Sequence, residues 1–160
     1  MHSKLPRLLL AISITTFALP FLSAIPVLAQ NQDPLVGTWN FYVGGSSPYI
    51  FVQNFNAGGT TVEFDTAGTN SSASPGESIS LGTWAKTATN KYTFTTENYI
   101  YDESGNLTLL AVPKCKLNLA PDMKKASGPC TIRFFACSIT QCPGVLKAGP
   151  FEYSFHGRRF

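Results

Sequence analysis

Eight short runs rich in Val, Ile, Thr, Phe and Tyr follow one another along this chain, each bounded by Gly, Asn, Asp, Ser or Pro. They are Val36–Val43, Tyr49–Phe55, Thr60–Asp65, Ser78–Thr87, Lys91–Tyr101, Leu107–Lys116, Cys130–Ser138 and Phe151–Phe155. After Gln30 no apolar stripe of period 3.6 is long enough for a packed helix, so the pattern predicts an all-β chain. Side chains alternate within the runs. Trp39, Phe41 and Val43 oppose Thr38, Asn40 and Tyr42, and Phe151, Tyr153 and Phe155 oppose Glu152, Ser154 and His156. In the third run Val62 and Phe64 alternate with Thr61, Glu63 and Asp65. Period-two alternation turns one face of an antiparallel sheet to a core and the other to water. It therefore places Phe64 in an aromatic core with Trp39, Phe41, Phe51, Phe55, Phe94, Phe134, Phe151 and Phe155, and turns Glu63 and Asp65 outward.

The connections favour pairing between sequence neighbours. Asn56–Gly59, Ala88–Asn90 and Asp102–Asn106 are short and supply residues that tolerate positive φ, the signature of hairpins. The polar stretch Thr66–Glu77 reads as a mobile loop, and Leu117–Pro129, with Lys124 and Lys125, as a second long connection. Eight strands joined by hairpins either close into a single antiparallel up-and-down β-barrel or fold into a β-sandwich. The barrel is preferred because it needs no long crossover.

The start of the chain has another purpose. Lys4 and Arg7 precede the apolar run Leu8–Leu22, and Val27 and Ala29 stand at −3 and −1 of a cut before Gln30. This is the pattern of a secretory signal peptide over residues 1–29, leaving a single domain at 30–160 and a secreted or periplasmic product. Pro20 breaks the apolar run, which is short for a membrane anchor, and no later segment could span as a helix. Two of the 12 basic residues lie in the leader, so the remainder carries 10 against 9 acidic ones. A surface so near neutrality argues against nucleic acid as a partner.

Gly37-Thr38-Trp39 opens the first run, and Gly82-Thr83-Trp84 repeats the motif inside the fourth. Gly allows close approach of neighbouring backbone, and a Trp two residues on can plug a barrel end. Through Val36–Asp65 the sequence resembles the lipocalin and avidin-type small β-barrels (calycin-like), whose first strand begins with Gly-x-Trp. The resemblance implies a small-ligand barrel. It does not imply biotin, because Asn40 and Tyr42 fall on the face opposite Trp39.

Cys115, Cys130, Cys137 and Cys142 all lie in the last third. In an exported chain an even count predicts disulfides, with three connectivities open. Pairing of Leu107–Lys116 with Cys130–Ser138 favours Cys115–Cys130 and Cys137–Cys142, while another register sets Cys115 opposite Cys137. Zinc is disfavoured, since there is no Cys-x-x-Cys pair and one histidine beyond the leader.

Groups for catalysis are scarce. His156 stands beside Arg158 and Arg159 at the chain end, where fraying and solvation are expected. No nucleophile elbow occurs, and Gly44-Gly45-Ser46 lacks the Lys and helix of a phosphate loop, so neither a metal nor a cofactor is expected. Asn70-Ser71-Ser72 and Asn106-Leu107-Thr108 match the glycosylation sequon, which matters only in a eukaryotic secretory pathway. The reading is an exported non-catalytic barrel that binds a small apolar or amphipathic ligand. Inward aromatics would line it: Trp39, Tyr49, Phe51, Tyr92, Phe94 and Tyr153. The alternatives are a protein-binding module, such as a secreted protease inhibitor presenting Leu117–Pro129, and a barrel cyclase or isomerase with few ionisable groups.

Overall fold

Turn chemistry sets the architecture. The computed structural model describes residues 32–45, 48–65 and 76–160. The leader, Ser46, Ser47 and residues 66–75, which include the Asn70 sequon and most of the expected loop, lie outside the described residues. Eight strands are present: β1 (Gly37–Val43), β2 (Tyr49–Phe55), β3 (Thr60–Asp65), β4 (Ser80–Ala88), β5 (Lys91–Tyr101), β6 (Leu107–Leu119), β7 (Lys125–Ala136) and β8 (Leu146–Arg159). Each pairs antiparallel with the next, and β8 returns to pair with β1. The chain is therefore a single closed eight-stranded antiparallel β-barrel rather than a sandwich. Closure removes the exposed sheet edges that would otherwise template aggregation.

The hairpins follow their sequences. Asn56 and Thr60 close a three-residue loop in which Gly59 takes φ 80°, and Asp102 and Asn106 close another with Gly105 at φ 80°. A positive φ at the last loop residue is the usual geometry of three-residue hairpins, and glycine adopts it without strain. The first of these loops decides the register. It sets Phe55 opposite Thr61 and Gln53 opposite Glu63. Paired residues share a sheet face, so Thr61 and Glu63 turn into the barrel with Phe55.

This corrects the expectation for the third strand. Glu63 is buried at 8% exposure, while Phe64 lies on the outer face at 55%. Alternation within β3 is as expected, but its two faces are exchanged. Six residues with no strong internal bias took their orientation from the hairpin and from Phe55, which packs edge-on to Trp84 and Phe94.

Two further corrections concern the last third. Residues 117–129 do not form a long connection; β6 and β7 extend through them, leaving Ala120–Lys124 between the strands. The C-terminal residues are not frayed either. His156 pairs with Tyr42 and Arg159 with Trp39. In both places ladder partners hold residues whose own strand propensity is weak, such as Gly128 and Gly157. At Gly157 a methyl group would collide with the Phe41 ring and the Asn40 carbonyl, and at Gly82 with the Thr95 carbonyl. These glycines allow strands to cross closely as the sheet curls shut.

Cys115 pairs with Cys130 and Cys137 with Cys142. The first bridge joins directly opposed residues on the inner face of β6 and β7 and is buried with the aromatic core. Separations of 15 and 5 residues correspond to about 3 and about 2 kcal/mol of chain-entropy stabilisation. Denaturant unfolding of Cys115→Ala/Cys130→Ala should therefore show the larger loss, increased by the cavity left inside. Replacing Cys137 and Cys142 should cost less.

Candidate functional site

The two ends of the barrel differ. One is corked. Leu35, just before β1, is buried in the core, and its carbonyl accepts a hydrogen bond of 2.9 Å from Trp39 Nε1. Trp39 stacks on Phe41 at 6.0 Å, and the Arg159 guanidinium lies 6.0 Å from its ring centroid on donation to the Pro34 and Val36 carbonyls. Trp84 closes the same end, donating from Nε1 to the Asn56 carbonyl at 2.9 Å. Both Gly-Thr-Trp motifs thus serve one purpose, packing a tryptophan across the closed end.

Asp33 ties the cork down. Its carboxylate accepts from the Tyr92 hydroxyl (2.7 Å), the Leu35 amide (2.9 Å) and Lys86 Nζ (3.0 Å). Burial pushes its pKa up, but these three donors outweigh burial and hold it below the ordinary carboxylate value. Burial, and then the bond to Asp33, push the Tyr92 hydroxyl well above its usual value. Of the residues expected to line a pocket, Trp39 and Tyr92 belong to this closed end.

Phe51 and Phe94 form the middle of the interior, each in ring contact with Phe155. Tyr49 and Tyr153 sit beyond them toward the other end, half-buried and 6.5 Å apart. Two residues expected in the core rather than in the ligand lining stand with them. Phe134 and Phe151 lie 6.2 Å apart, and Phe151 shares the face of Ile132 yet is 53% exposed. These four rings are only partly buried.

Beside the aromatics runs a polar wall that sequence reasoning missed. Gln53, Thr61, Glu63, Ser80, Thr96 and Asn98 are all buried on inner faces of β2–β5. The Thr61 hydroxyl donates to the Asn54 carbonyl at 2.8 Å, so its oxygen can only accept from Gln53 at 2.6 Å. Gln53 must then present Nε2 to Thr61 and aim Oε1 elsewhere. Gln53 Oε1 and Thr96 Oγ1 find no hydrogen-bond partner among the described residues. An unsatisfied buried polar atom costs about 1–3 kcal/mol. The sequence signal was period-two continuity: Gln53 occupies an inward slot between Phe51 and Phe55, and Thr96 and Asn98 continue the face of Tyr92 and Phe94.

Among the described residues, no group of three or more His, Cys, Asp or Glu is placed to hold a metal ion, and no helix is long and apolar enough to cross a membrane. A trough of about 560 Å³ on the outer face of β5–β8, beside Lys114, Lys116 and Glu152, is the saddle of a twisted sheet and contains neither orphaned atom.

Fold and site together define a closed β-barrel with a tryptophan-packed end, partly exposed aromatic rings among the described residues toward the other, and a polar inner wall. No family model, curated protein or solved structure matches the chain.

The Asp33 knot makes an acid-sensitivity prediction. A carboxyl whose folded value is depressed contributes stability that is full above the unfolded value, near 4, and is lost as pH falls through the folded one. Thermal melts should show wild type losing stability more steeply than Asp33→Asn on acidification below pH ~4. At neutral pH the variant should be weaker by on the order of 1 kcal/mol. Parallel pH profiles would contradict the assignment.

Proposed function

We propose that this protein is an exported, non-catalytic barrel of lipocalin or avidin-like type that binds a small amphipathic molecule through its open end. The observation that carries this reading is the set of rings Tyr49, Phe134, Phe151 and Tyr153, which lie on inward-facing positions yet remain partly solvated. Large apolar groups in a concave, solvent-reached site are costly to leave in water, and covering them is the usual driving force for binding small apolar molecules. Rigid aromatic rings also lose little entropy when a ligand docks. The leader-like start of the chain and the two disulfides support export. The inhibitor reading has less support, because the loop it relied on is reduced to Ala120–Lys124.

Titration with uncharged fluorescent apolar probes tests this. Saturable one-to-one binding is expected, and Tyr153→Ala or Phe134→Ala should weaken it by about tenfold, the loss of roughly 1.4 kcal/mol. Trp84→Phe, at the closed end, should leave affinity within about twofold, well under 1 kcal/mol. An absence of saturable binding to the folded, oxidised protein would contradict the reading.

A further inference from the structure

The seam that closes the barrel carries a groove on its outer side. It has a volume of about 440 Å³ and is lined by Lys125, His156, Arg158, Asn40, Tyr42 and Ile50, with Phe41 and Gly157 between them. The Phe41 side chain is in the core, and a methyl group on Gly157 would point into it, so these two residues give the groove a floor of main chain. The volume falls within the roughly 300–1,000 Å³ of sites that hold small molecules. The groove is separate from the barrel interior and independent of the ligand-binding reading above.

Two ladder rows cross it. In one, Lys125 pairs with Arg158, Arg158 with Asn40 and Asn40 with Val52. In the other, Ser127 pairs with His156, His156 with Tyr42 and Tyr42 with Ile50. Paired residues share a sheet face, so cations stand together at one end of the groove and apolar side chains at the other. Tyr42, whose ring lies 5.2 Å from that of His156, is 42% exposed, and Ile50 is 43% exposed.

The cationic end lacks a counter-charge. Like charges directly opposed on neighbouring strands destabilise the pair. Lys125 and Arg158 are opposed in this way, and neither makes a salt bridge among the described residues. No Asp or Glu lines the groove. Asp122, in the adjoining turn, accepts a hydrogen bond from the Lys124 amide. An anion seated between Lys125 and Arg158 would turn this repulsion into two attractions. A carboxylate carries one negative charge, whereas a phosphate monoester carries about −1.5 to −2 near pH 7 and matches both cations. The planar guanidinium fork suits its oxygens, and the Asn40 amide group supplies a further donor.

We propose that this groove binds a phosphate monoester between Lys125 and Arg158, beside His156, with the apolar body of the molecule lying on Tyr42 and Ile50.

Calorimetric titration of the oxidised protein near pH 7 and at low salt, with phenyl phosphate, inorganic phosphate and benzyl alcohol, tests this. Phenyl phosphate should bind one-to-one and at least about tenfold more tightly than either of the others. Arg158→Gln and Lys125→Gln should each weaken it by at least about tenfold. Both free variants should melt no lower than wild type, since each removes an opposed like charge. Tyr42→Ala should bring phenyl phosphate down to the level of inorganic phosphate. Lys114→Gln, a lysine of the outer face that does not line the groove, should leave affinity within about twofold. Vesicles with and without phosphatidate separate the sources of the group. Vesicle binding that needs phosphatidate and is lost in Arg158→Gln supports the site with a lipid-borne phosphate, and phenyl phosphate binding without vesicle binding supports it with a free one.

Absence of saturable binding to both phenyl phosphate and phosphatidate vesicles would overturn the proposal. Equal losses in Lys114→Gln and Arg158→Gln would reduce it to diffuse attraction by a basic face and overturn it too. Inorganic phosphate binding as tightly as phenyl phosphate would contradict the role of Tyr42 and Ile50. Variants that melt lower than wild type would show that the opposed cations stabilise the seam, which also contradicts the proposal. Failure of apolar probes to enter the barrel leaves this groove unaffected.

Discussion

Closure of the ladder between the first and last strands is the constraint from which the rest follows. Once β8 pairs with β1, every strand has two fixed neighbours, and no strand can choose its inner face independently. The seam is reinforced where it ends. Arg159 lies over Trp39 and donates to the backbone of the segment that carries Leu35. The residue that completes the barrel therefore also holds its cork. Sequence-distant groups meet there, so the contact is formed late in chain order and depends on all the intervening hairpins having the right register.

The same constraint divides the interior. β1 and β5–β8 supply Trp39, Phe41, Phe94, Phe155 and the buried Cys115–Cys130 bridge, a tightly packed apolar column. β2–β5 supply the row of amide, hydroxyl and carboxylate groups around Gln53 and Thr96. Burying those polar groups opposes folding unless they are paired, and two oxygens find no partner among the described residues. A domain of this size has stability of only about 5–15 kcal/mol, so retaining such atoms is a noticeable fraction of it.

Much of this architecture could be read from the residues alone, where side chains carry strong local bias. β1, β2 and β5 alternate with bulky aromatics, so their inner faces were plain, and the Gly-containing hairpins announced antiparallel neighbours. The bridge between Cys115 and Cys130 followed from pairing their strands, although another register was equally compatible with spacing. β3 was different. Val62 and Phe64 are more apolar than Thr61 and Glu63, and hydrophobicity alone assigns them to the core. Only the loop geometry between Phe55 and Thr61 reveals the opposite orientation, and that geometry is a property of the pair, not of the strand. The ends of β6, β7 and β8 were underestimated for a related reason. Gly128, Pro129, Gly157 and the terminal arginines have little intrinsic preference for extended structure and are held there by their partners. The polar wall is hidden for a similar reason: Thr61 and Glu63 lie on β3, and Gln53, Ser80, Thr96 and Asn98 are residue types that look like solvent positions.

The orientation of β3 and its neighbours is the most direct point of attack. Methyl groups of isotopically labelled protein can be observed by NMR in the presence of a soluble paramagnetic agent, which broadens signals from exposed methyls and spares buried ones. The account predicts strong broadening for Val62 and Leu81 and none for Thr61 and Thr96. Protection of Val62 together with broadening of Thr61 would mean the strand faces the other way, and the polar interior built on it would not exist.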